Sequence, residues 1–574
     1  MKNKEIAKLL YQIAELLSLT EENPFRIRAY ERAAQSIESI PTPIEEIAEK
    51  DELEEVPGIG ESVAEKIKEY LKTGRIKYLD DLKKKFPEGL LEIMEVPGMG
   101  PKKAKYLFDK LKISDLDSLK KAAEEGKLRN LPGFGEKTEK NILQCIELKA
   151  SSKERILLFD AINIADEIVS ELKKLQEVKQ ISPAGSLRRK KETIGDIDIL
   201  CTVSEGKEKF IVERFTKLPR VKKVLACGDT KGSIITEEGI QVDLRVVPQD
   251  CYGSALQYFT GSKEHNIALR ELANKKGLTI SEYGVFKIKD KTKPVAGKTE
   301  KEIYELLGLQ YIPPEIRENR GEIEVAKKHA LPELVELKDI KGDVHVHSKY
   351  SDGANSIEEI AEEAEKLGYE WMIICDHSQS VKIAGGVSIK DLYKKIDEIH
   401  NFNSKNKKVK VLCGQEVDIL SDGKLDYPDD VLKELDFVIA AIHSGFKQPE
   451  QQMTERIIKA FQNKYVHLFA HPTGRLLGKR EPYSVNLEKV IEEAKKCNVF
   501  LEINAYPERL ELQDFYCKKA KELGLKMAIG TDSHNINQLG FISLGVDVAR
   551  RGWLEKTDLI NCLSYGDLVK LLKR

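Results

Sequence analysis

The spacing of hydrophobic residues changes twice along the chain. Residues 1–17 place apolar side chains at helical spacing and predict an amphipathic helix. Residues 155–250 alternate apolar and polar positions, which predicts strands in place of helices. After residue 339, short apolar runs rich in β-branched residues lead into polar motifs. We therefore expect a helical region, then a mixed region, then a series of β/α units.

The apolar runs of the last region lie at 371–374, 437–439, 466–469 and 527–529. In a β/α barrel, functional groups gather at the carboxyl ends of the strands, so side chains in the motifs that follow these runs should converge. Nine such side chains are of metal-binding type: His345, His347, Asp352, His377, Glu416, His443, His471, Asp532 and His534. His400 and His467 lie outside the motifs, and we assign them to ordinary packing.

The nine candidate ligands combine imidazoles with carboxylates, a set that suits Zn²⁺, Mn²⁺ or Fe²⁺. His345 and His347 lie two residues apart on one strand, so their imidazoles share a face. Nine ligands exceed the needs of one ion, and a carboxylate such as Glu416 or Asp532 would bridge two or three ions. Because such a cluster lowers the pKa of bound water and holds both oxygens of a phosphoester displacement, we expect hydrolysis of a phosphate ester.

Residues 339–574 resemble the polymerase and histidinol phosphatase (PHP) domain over its whole length. The matching elements are His-x-His, Ser-Asp-Gly, Asp-His, Glu, His, His and Asp-x-His, and no expected ligand is missing. The resemblance implies a distorted (β/α)7 barrel whose nine ligands hold up to three Mn²⁺ or Zn²⁺ ions. It also implies hydrolysis of phosphomonoesters or phosphodiesters.

Composition limits the expected partners and location. The 574 residues are 41% hydrophobic and 33% charged with a formal net charge of −2, so any nucleic-acid surface must be local. Nine dispersed cysteines without a Cys-x-x-Cys pair favour reduced thiols. The sequence shows neither a signal peptide nor a membrane-length apolar run, which predicts a cytoplasmic, nucleoid-associated protein. The length predicts about three to five domains.

A repeat of the form apolar-Pro-Gly-x-Gly occurs at 56–60, 96–100 and 131–135. The glycines permit a tight hairpin and let backbone amides point outwards at the start of the next helix, which is an anion site. One copy would suit a simple turn, whereas three copies indicate helix-hairpin-helix motifs that bind DNA phosphates without reading bases. We expect the third copy to be mainly structural. The expected DNA contacts of the first two copies are Gly58, Gly60, Gly98, Gly100, Lys102 and Lys103.

The mixed region contains a Gly-Ser pair followed by alternating aspartates. Asp196 and Asp198 alternate on a predicted strand, so both carboxylates face one side, and Asp243 lies on a later strand. These three carboxylates would hold two Mg²⁺ ions that orient a 3′-hydroxyl and neutralise a triphosphate during in-line transfer. The expected triphosphate cradle of amides, a hydroxyl and a guanidinium consists of Gly185, Ser186 and Arg189.

Residues 1–317 resemble a family X DNA polymerase, similar to DNA polymerase beta. The Gly-Ser-Leu-Arg-Arg and Gly-Asp-Ile-Asp elements match its nucleotidyltransferase palm, and Tyr-Phe-Thr-Gly-Ser matches its sugar-binding segment. The resemblance implies that two aromatic residues exclude a 2′-hydroxyl and that an asparagine contacts the incoming base. Lys263 replaces an acidic residue of polymerase beta, and it either holds the nucleotide or is a solvated side chain. The implied nucleotide contacts are Tyr258, Phe259, Thr260, Gly261, Ser262, Lys263, Asn266 and Arg270, the last on the template side.

The first 80 residues resemble the amino-terminal domain of that family, which binds the downstream 5′-phosphate of a gap. Arg26, Arg28 and Tyr30 are candidate contacts of the 5′ end. Lys66 lies where polymerase beta has its Schiff-base lysine, so its amine would attack a 5′-deoxyribose phosphate and release it by β-elimination. Ser62 stands where the family has a supporting lysine, and an ordinary surface lysine is therefore the alternative for Lys66.

We thus predict a monomeric, multidomain α+β and α/β protein. The predicted domains are a lyase-like helix-hairpin-helix domain at 1–80, a helical fingers-type domain at 81–150, the palm at 151–250, a nucleotide-selecting thumb at 251–317, a linker with few contacts at 318–338 and the PHP barrel at 339–574. The front half would fill short gaps in gapped or nicked DNA with deoxynucleoside triphosphates (dNTPs) during base excision repair. The barrel would act as a 3′–5′ exonuclease, 3′-end-processing enzyme or AP endonuclease.

Three alternatives remain open at this stage. The barrel would serve equally well as a small-molecule phosphomonoesterase fused to a polymerase. The palm would carry out template-independent terminal transfer with the same three aspartates. A DNA-end scaffold that keeps metals only for folding is the third alternative, and the complete ligand sets in both halves argue against it.

Overall fold

The computed structural model describes residues 3–573 except 20–23, 40–43, 57, 88, 95, 97–98, 130, 136–137, 140–141, 144–154, 291 and 407. Contacts group the chain into two units. The first contains Met1–Ser152 and Gly478–Arg480, and the second contains Lys153–Leu477 and Glu481–Arg574.

The first unit is helical, as its hydrophobic pattern predicts. The helix at the amino-terminal end confirms the expected amphipathic start, because Ile6, Leu10, Ile13 and Leu17 are all buried. The described helices of the unit are Asn3–Ser18, Pro24–Ser39, Ile44–Glu49, Glu61–Thr73, Lys77–Lys85, Gly89–Met94, Pro101–Leu111 and Leu116–Glu124.

The second unit begins with a five-stranded mixed sheet. Its strands are β2 (Val178–Pro183), β4 (Asp196–Val203), β5 (Val221–Cys227), β6 (Lys231–Thr236) and β7 (Gln241–Val246), in the order β2-β4-β7-β6-β5. β4 and β7 are parallel, whereas the other neighbours are antiparallel. A separate antiparallel pair consists of β1 (Ile156–Leu157) and β3 (Thr193–Ile194). The predicted palm is therefore a mixed sheet, as expected.

The expectation that strands replace helices over 155–250 is wrong for three segments. Leu158–Lys173, Glu208–Phe215 and the short turn Gly185–Arg188 are helical. The apolar face of the first, formed by Leu158, Ala161, Ala165, Ile168 and Leu172, is buried. The apolar face of a sheet must be buried against another element, and these helices pack on it.

Helices and one hairpin form the thumb that follows. The helices are Tyr252–Thr260, Lys263–Lys275, Glu300–Leu306 and Glu322–Lys327, and the hairpin joins β8 (Leu278–Ser281) to β9 (Gly284–Lys287). Their core includes Leu269, Ile303, Tyr304 and Ile312.

The segment 318–338 was expected to make few contacts, and the structure contradicts this expectation. Glu322 is fully buried, with Oε1 lying 2.6 Å from His265 Nδ1. The Val335 amide donates to the Leu554 carbonyl at 2.9 Å, which ties the segment to the end of the chain. Its glutamates and lysines suggested solvent exposure, but several of them are paired with distant residues.

Seven parallel strands form the carboxyl-terminal barrel. They are β10 (Gly342–Val346), β11 (Trp371–Ile374), β12 (Lys410–Asp418), β13 (Phe437–Ala441), β14 (Leu468–Phe469), β15 (Phe500–Asn504) and β16 (Met527–Gly530), paired in sequence order. A parallel bridge between Val346 and Ser533 brings the last strand beside the first. The helices of this region are Ile357–Lys366, Ile389–Lys405, Asp429–Leu432, Glu450–Phe461, Leu487–Cys497, Asp514–Glu522, Ile542–Arg551 and Tyr565–Leu572. The predicted distorted seven-stranded barrel is confirmed.

No helix in the described part of the chain is both long and apolar enough to cross a membrane. The cysteines that the structure describes are free thiols, in agreement with the sequence, and the buried ones are Cys201, Cys251, Cys375, Cys413 and Cys517.

Candidate active sites

The barrel brings eight of the nine predicted ligands into three overlapping groups. Within each group, one ligand atom from each residue lies within 4.8 Å of the others. The groups are His347, Asp352, His377 and His534; His345, His347 and Asp532; and His377, Glu416 and His443. The ninth residue, His471, has its Nε2 atom 2.8 Å from Glu416 Oε1. Because His347 and His377 each belong to two groups, the groups form one continuous cluster.

The ligands lie at or just beyond the carboxyl ends of the strands, as the barrel hypothesis requires. His377 follows β11 and His443 follows β13, while Glu416 lies near the end of β12. His471 and Asp532 adopt φ values of +30° and +55°, which are strained for residues other than glycine. Such strain is held in place where the surrounding structure fixes a side chain for function.

Glu416 lies at the centre of the cluster. Its Oε1 atom is 3.3 Å from His443 Nε2, and its Oε2 atom is 2.7 Å from His377 Nδ1. Burial alone would raise the pKa of the Glu416 carboxyl, but His443, His377 and His345 hold it well below its ordinary value. The residue is therefore a carboxylate, which is the form that bridges metal ions.

Three buried atoms of the cluster, His347 Nδ1, His377 Nδ1 and Glu416 Oε2, make no hydrogen bond of acceptable geometry among the described residues. His377 Nδ1 and Glu416 Oε2 are 2.7 Å apart but are not aligned for one. A buried polar atom without a partner costs on the order of 1–3 kcal/mol, and a coordinated cation would satisfy all three. The residues present therefore fit a divalent metal centre.

Two carboxylates orient the ligand histidines from behind. Glu502, fully buried on β15, places Oε1 2.6 Å from His345 Nδ1. Asp418 Oδ1 lies 3.3 Å from His443 Nδ1 and accepts the His443 amide at 3.0 Å. Each pair fixes the ring orientation and leaves Nε2 facing the cluster. Neither carboxylate is among the site residues that the sequence predicts.

Arg509 places a cation beside the cluster. Its Nε atom is 3.4 Å from Asp532 Oδ2 and its Nη1 atom is 3.4 Å from Glu511 Oε1. A guanidinium is suited to bidentate binding of phosphate oxygens. Arg509 lies in the loop after β15 and is not among the site residues that the sequence predicts.

Two of the palm aspartates are side by side. Asp198 on β4 and Asp243 on β7 are register partners, and Asp196 lies two residues earlier on β4. Burial, reinforced by the charges of Asp196 and Asp243, raises the pKa of Asp198 to about 6. Asp243 Oδ1 accepts hydrogen bonds from Ser233 Oγ at 2.5 Å and from Gln241 Nε2 at 3.1 Å.

A turn with a glycine at its start packs directly on the palm aspartates. Gly185 has φ +61°, and a Cβ atom there would lie 2.6 Å from Asp198 Oδ2. The Ala184 amide donates to the Asp198 carbonyl at 2.8 Å. Only glycine fits this approach, so the predicted cradle of Gly185 and Ser186 abuts the carboxylates.

The predicted Arg189 of the cradle is held by the thumb. Its Nη1 atom donates to the Thr260 carbonyl at 2.5 Å, and its Nε atom donates to Glu318 Oε1 at 3.1 Å. Its neighbour Arg188 makes two bonds to Glu300, at 2.9 and 2.7 Å. Arg189 thus lies between the palm turn and the Tyr258–Ser262 segment.

The remaining predicted nucleotide contacts are arranged around the same segment. The Tyr258 and Phe259 ring centroids are 5.1 Å apart. Asn266 Nδ2 donates to the Tyr258 carbonyl at 2.8 Å, and Ser262 Oγ accepts the His265 amide at 3.2 Å. Gly261 and Ser262 are buried, whereas Lys263 and Arg270 are exposed.

In the first unit, Lys66 lies close to two aromatic rings. Its Nζ atom is 5.8 Å from the Tyr30 ring centroid and 5.2 Å from that of Tyr78, and it donates to Ser62 Oγ at 3.1 Å. Burial first, and then the charge of Arg26, lower the pKa of the Lys66 amine. The Tyr30 ring is buried, whereas Arg26 and Arg28 are exposed.

The structure describes part of the first two predicted hairpins, at 56–60 and 96–100. Gly58 has φ +89°, and Gly60 and Gly100 are the N-cap residues of Glu61–Thr73 and Pro101–Leu111. A Cβ at Gly60 or Gly100 would meet nothing within 4 Å, so these helix starts are open. Gly98 lies outside the described residues. Lys102 is exposed, and Lys103 Nζ is 5.1 Å from the Phe134 ring centroid.

Five family models match consecutive parts of the chain. Residues 1–76 match a helix-hairpin-helix domain, 90–148 a SAM-like helix-hairpin-helix tandem, 159–240 the DNA polymerase beta palm, 255–318 the DNA polymerase beta thumb and 343–506 the PHP domain. A DNA polymerase/3′-5′ exonuclease PolX from Bacillus subtilis (strain 168) is 42% identical over 579 residues, covering 100% of both chains. The chain belongs to the PolX family of family X DNA polymerases.

The barrel of this PolX-family chain also has relatives of its own. A probable phosphatase from Thermoanaerobacter sp. (strain X514) is 31% identical over 246 residues, which cover 40% of this chain and 94% of the relative. A probable phosphatase from Acetivibrio thermocellus is 30% identical over 207 residues, covering 34% and 81% respectively. The PHP barrel therefore occurs both with and without the polymerase part.

Proposed function

We propose that this PolX-family protein is a template-directed DNA polymerase that fills short gaps in DNA repair and removes nucleotides from 3′ ends with its PHP barrel. The supporting observation is that one chain combines palm aspartates, two of which are register partners, with a cluster of the nine predicted PHP ligands. The full-length relative is named for both activities. Gapped or nicked DNA and dNTPs are the proposed substrates.

In the palm, Asp196, Asp198 and Asp243 would hold two Mg²⁺ ions, which supply charge neutralisation during in-line phosphoryl transfer. Ser233 and Gln241 fix the Asp243 carboxylate through hydrogen bonds to Oδ1. The turn at Gly185 and Ser186 and the Arg189 guanidinium would bind the triphosphate, because amides, a hydroxyl and a guanidinium together favour phosphate oxygens.

The thumb would bind the rest of the nucleotide. Tyr258 and Phe259 would lie against the sugar and exclude a 2′-hydroxyl, and the amide of Asn266 would reach the base. The bond from Asn266 to the Tyr258 carbonyl keeps these groups in one arrangement. Lys263 and Arg270 are exposed on the same helix and would contact the nucleotide and the template strand.

In the barrel, the nine ligands would hold up to three Mn²⁺ or Zn²⁺ ions, which supply Lewis acidity and an activated hydrolytic water. Arg509 would bind a non-bridging oxygen of the scissile phosphate, since its guanidinium lies beside Asp532. Glu502 and Asp418 would keep His345 and His443 in the tautomers that leave Nε2 free for an ion.

The test uses gapped DNA labelled at the 5′ end of the primer, with a matched or mismatched 3′ end, in Mg²⁺ and in Mn²⁺. Asp196→Ala with Asp198→Ala should abolish extension and leave shortening intact. His345→Ala with His347→Ala should abolish shortening and leave extension intact. If the wild-type protein shortens no DNA in either metal, the exonuclease proposal fails. Extension that ignores the template would favour terminal transfer instead.

A second candidate for the barrel is hydrolysis of small phosphomonoesters. It is favoured by the likeness of the barrel alone to probable phosphatases, which lack the polymerase part. Turnover of histidinol phosphate or a generic phosphomonoester, compared with turnover of single-stranded DNA, decides between the two. Cleavage of DNA at an abasic site would identify the barrel as an AP endonuclease.

We also propose a 5′-deoxyribose phosphate lyase activity at Lys66. The lowered pKa of its amine favours the uncharged nucleophile, and the exposed Arg26 and Arg28 would hold the 5′-phosphate. Trapping with borohydride, described below, tests the lyase.

The hairpins at Gly58–Gly60 and Gly98–Gly100, with Lys102 and Lys103, would bind the DNA backbone through backbone amides and lysine side chains.

A further inference from the structure

An arginine of the barrel region reaches the nucleotide-binding turn of the palm. Arg551 is the last residue of the helix Ile542–Arg551 and is only 3% exposed. Its Nη1 atom donates to the backbone carbonyl of Arg189 at 2.6 Å. Its Nη2 atom donates to Asp514 Oδ2 at 2.5 Å, which fixes the guanidinium from the barrel side.

The same guanidinium shares a carboxylate with the Arg189 side chain. Arg551 Nη1 lies 3.1 Å from Glu318 Oε1, and Arg189 Nε donates to that same oxygen at 3.1 Å. Lys191 Nζ lies 3.6 Å from Glu318 Oε1 as well. One carboxylate, 11% exposed, therefore contacts three cations, two from the palm and one from the barrel.

The Glu318 carboxylate binds Arg189 less strongly because it also binds Arg551. A carboxylate oxygen that accepts from two guanidinium groups binds each of them more weakly than it would bind one alone. Without Arg551, the Glu318 charge would act mainly on Arg189 and Lys191. The Arg189 carbonyl would also lose its donor, so the turn that begins at Gly185 would be held less firmly.

We propose that Arg551 is a positioning residue for nucleotide binding in the palm, acting through the Arg189 carbonyl and by sharing Glu318 with the Arg189 guanidinium. The inference rests on the proposed role of Arg189 in binding the triphosphate. Arg551 itself contacts no nucleotide in this scheme. The barrel thereby contributes to polymerisation as well as to hydrolysis.

The test measures kcat and the KM for dNTP in gap filling by full-length protein. Arg551→Met should raise the KM about tenfold, which corresponds to one charge-assisted hydrogen bond, with a smaller change in kcat. Arg550→Met is the matched control, because Arg550 lies in the same helix and bonds to Glu315 and Val335 but not to Glu318. Its KM should stay within about twofold of wild type.

A double variant separates this role from a merely structural one. Adding Glu318→Gln to Arg551→Met removes the charge that would hold Arg189, so the KM should return towards the wild-type value. If the double variant is no better than Arg551→Met, the sharing mechanism is refuted. Arg551→Lys keeps the charge but carries its donors on one nitrogen, whereas arginine reaches Arg189 and Glu318 through Nη1 and Asp514 through Nη2. It should therefore give an intermediate KM even if the methionine variant folds poorly.

Arg189→Gln distinguishes failure of the inference from failure of the proposed function. An unchanged KM in Arg189→Gln would show that Arg189 does not bind the triphosphate, and the inference would fall with it. A raised KM in Arg189→Gln together with an unchanged KM in Arg551→Met would overturn the inference alone. Exonuclease activity of each variant on single-stranded DNA checks that the barrel is folded.

Discussion

Replacing Glu502 by glutamine should damage the barrel site although Glu502 is not one of the nine predicted ligands. The fully buried carboxylate lies 2.6 Å from His345 Nδ1 through Oε1, and its Oε2 atom accepts the His471 amide at 2.6 Å and Asn504 Nδ2 at 3.1 Å. Both oxygens must therefore accept hydrogen bonds. Glutamine has the same shape but replaces one acceptor by an NH₂ donor.

The consequence falls on His345. If the amide oxygen of glutamine still accepts the hydrogen bond from the His471 backbone amide, the NH₂ group faces His345 Nδ1. Nδ1 must then accept a hydrogen bond, so the proton of the imidazole moves to Nε2. That nitrogen lies 3.2 Å from His347 Nε2 and 3.7 Å from Glu416 Oε2, inside the cluster. A protonated Nε2 cannot bind a cation, so the first ligand of the ring is lost.

The expected loss is roughly 10- to 100-fold in metal affinity or hydrolytic rate, which is the usual effect of removing a partner of a metal-binding histidine. This range corresponds to about 1.4–2.7 kcal/mol. Calorimetric titration of metal-free protein with Mn²⁺, together with 3′-end shortening of labelled single-stranded DNA, measures both. Gap filling should be unchanged, because the palm is untouched.

The control variant is Glu488→Gln, which removes an exposed carboxylate of the same region that pairs with Lys519. It should behave as wild type in both assays. Wild-type affinity and hydrolysis in Glu502→Gln would refute the argument that Glu502 fixes the tautomer of His345.

Three further predictions concern other parts of the chain. Gly185→Ala should reduce gap filling at least tenfold in primer-extension assays but leave shortening intact, because its Cβ would lie 2.6 Å from Asp198 Oδ2; equal loss of both activities would contradict this. Arg509→Lys should lower the rate of 3′-end shortening by about tenfold and leave metal affinity unchanged, since an ammonium cannot bind phosphate in a bidentate manner. A loss of metal binding in calorimetry would show that Arg509 acts on the predicted metal ligands instead. Borohydride should trap DNA carrying a 5′-deoxyribose phosphate on the wild-type protein and not on Lys66→Ala. Because the pKa of the Lys66 amine is lowered, trapping should begin at a lower pH than an ordinary lysine allows. Undiminished trapping by Lys66→Ala would exclude this amine.

The convergence of the nine predicted ligands in the barrel could be predicted because each follows a strand pattern that the sequence displays locally. Imidazoles and carboxylates at successive strand ends have few structural uses, so their convergence could be inferred without a structure. Glu502 and Arg509 were not predictable in this way. They lie on β15 and its loop, where no histidine marks the strand end, and their partners are distant in sequence.

The helix Leu158–Lys173 was missed for a different reason. Its apolar positions follow helical spacing, but it is flanked by strands whose alternating pattern dominated the prediction. The contacts of segment 318–338 could not be predicted either. Charged residues usually indicate exposure, and only the folded structure shows that Glu318 pairs with Arg189 and that Glu322 lies against His265.

The ion pairs between palm and barrel constrain how this gene can evolve. Lys190 pairs with Asp547 at 3.2 Å and Glu192 with Arg475 at 3.0 Å, in addition to the shared Glu318. A chain ending after the thumb would inherit these charges without their partners. Loss of the barrel would leave Lys190, Glu192 and Glu318 without these partners, and under the role proposed for Arg551 it would also weaken nucleotide binding in the palm. Under that proposal, selection for gap filling also preserves the barrel, which gives a physical reason for the two parts to be inherited as one chain.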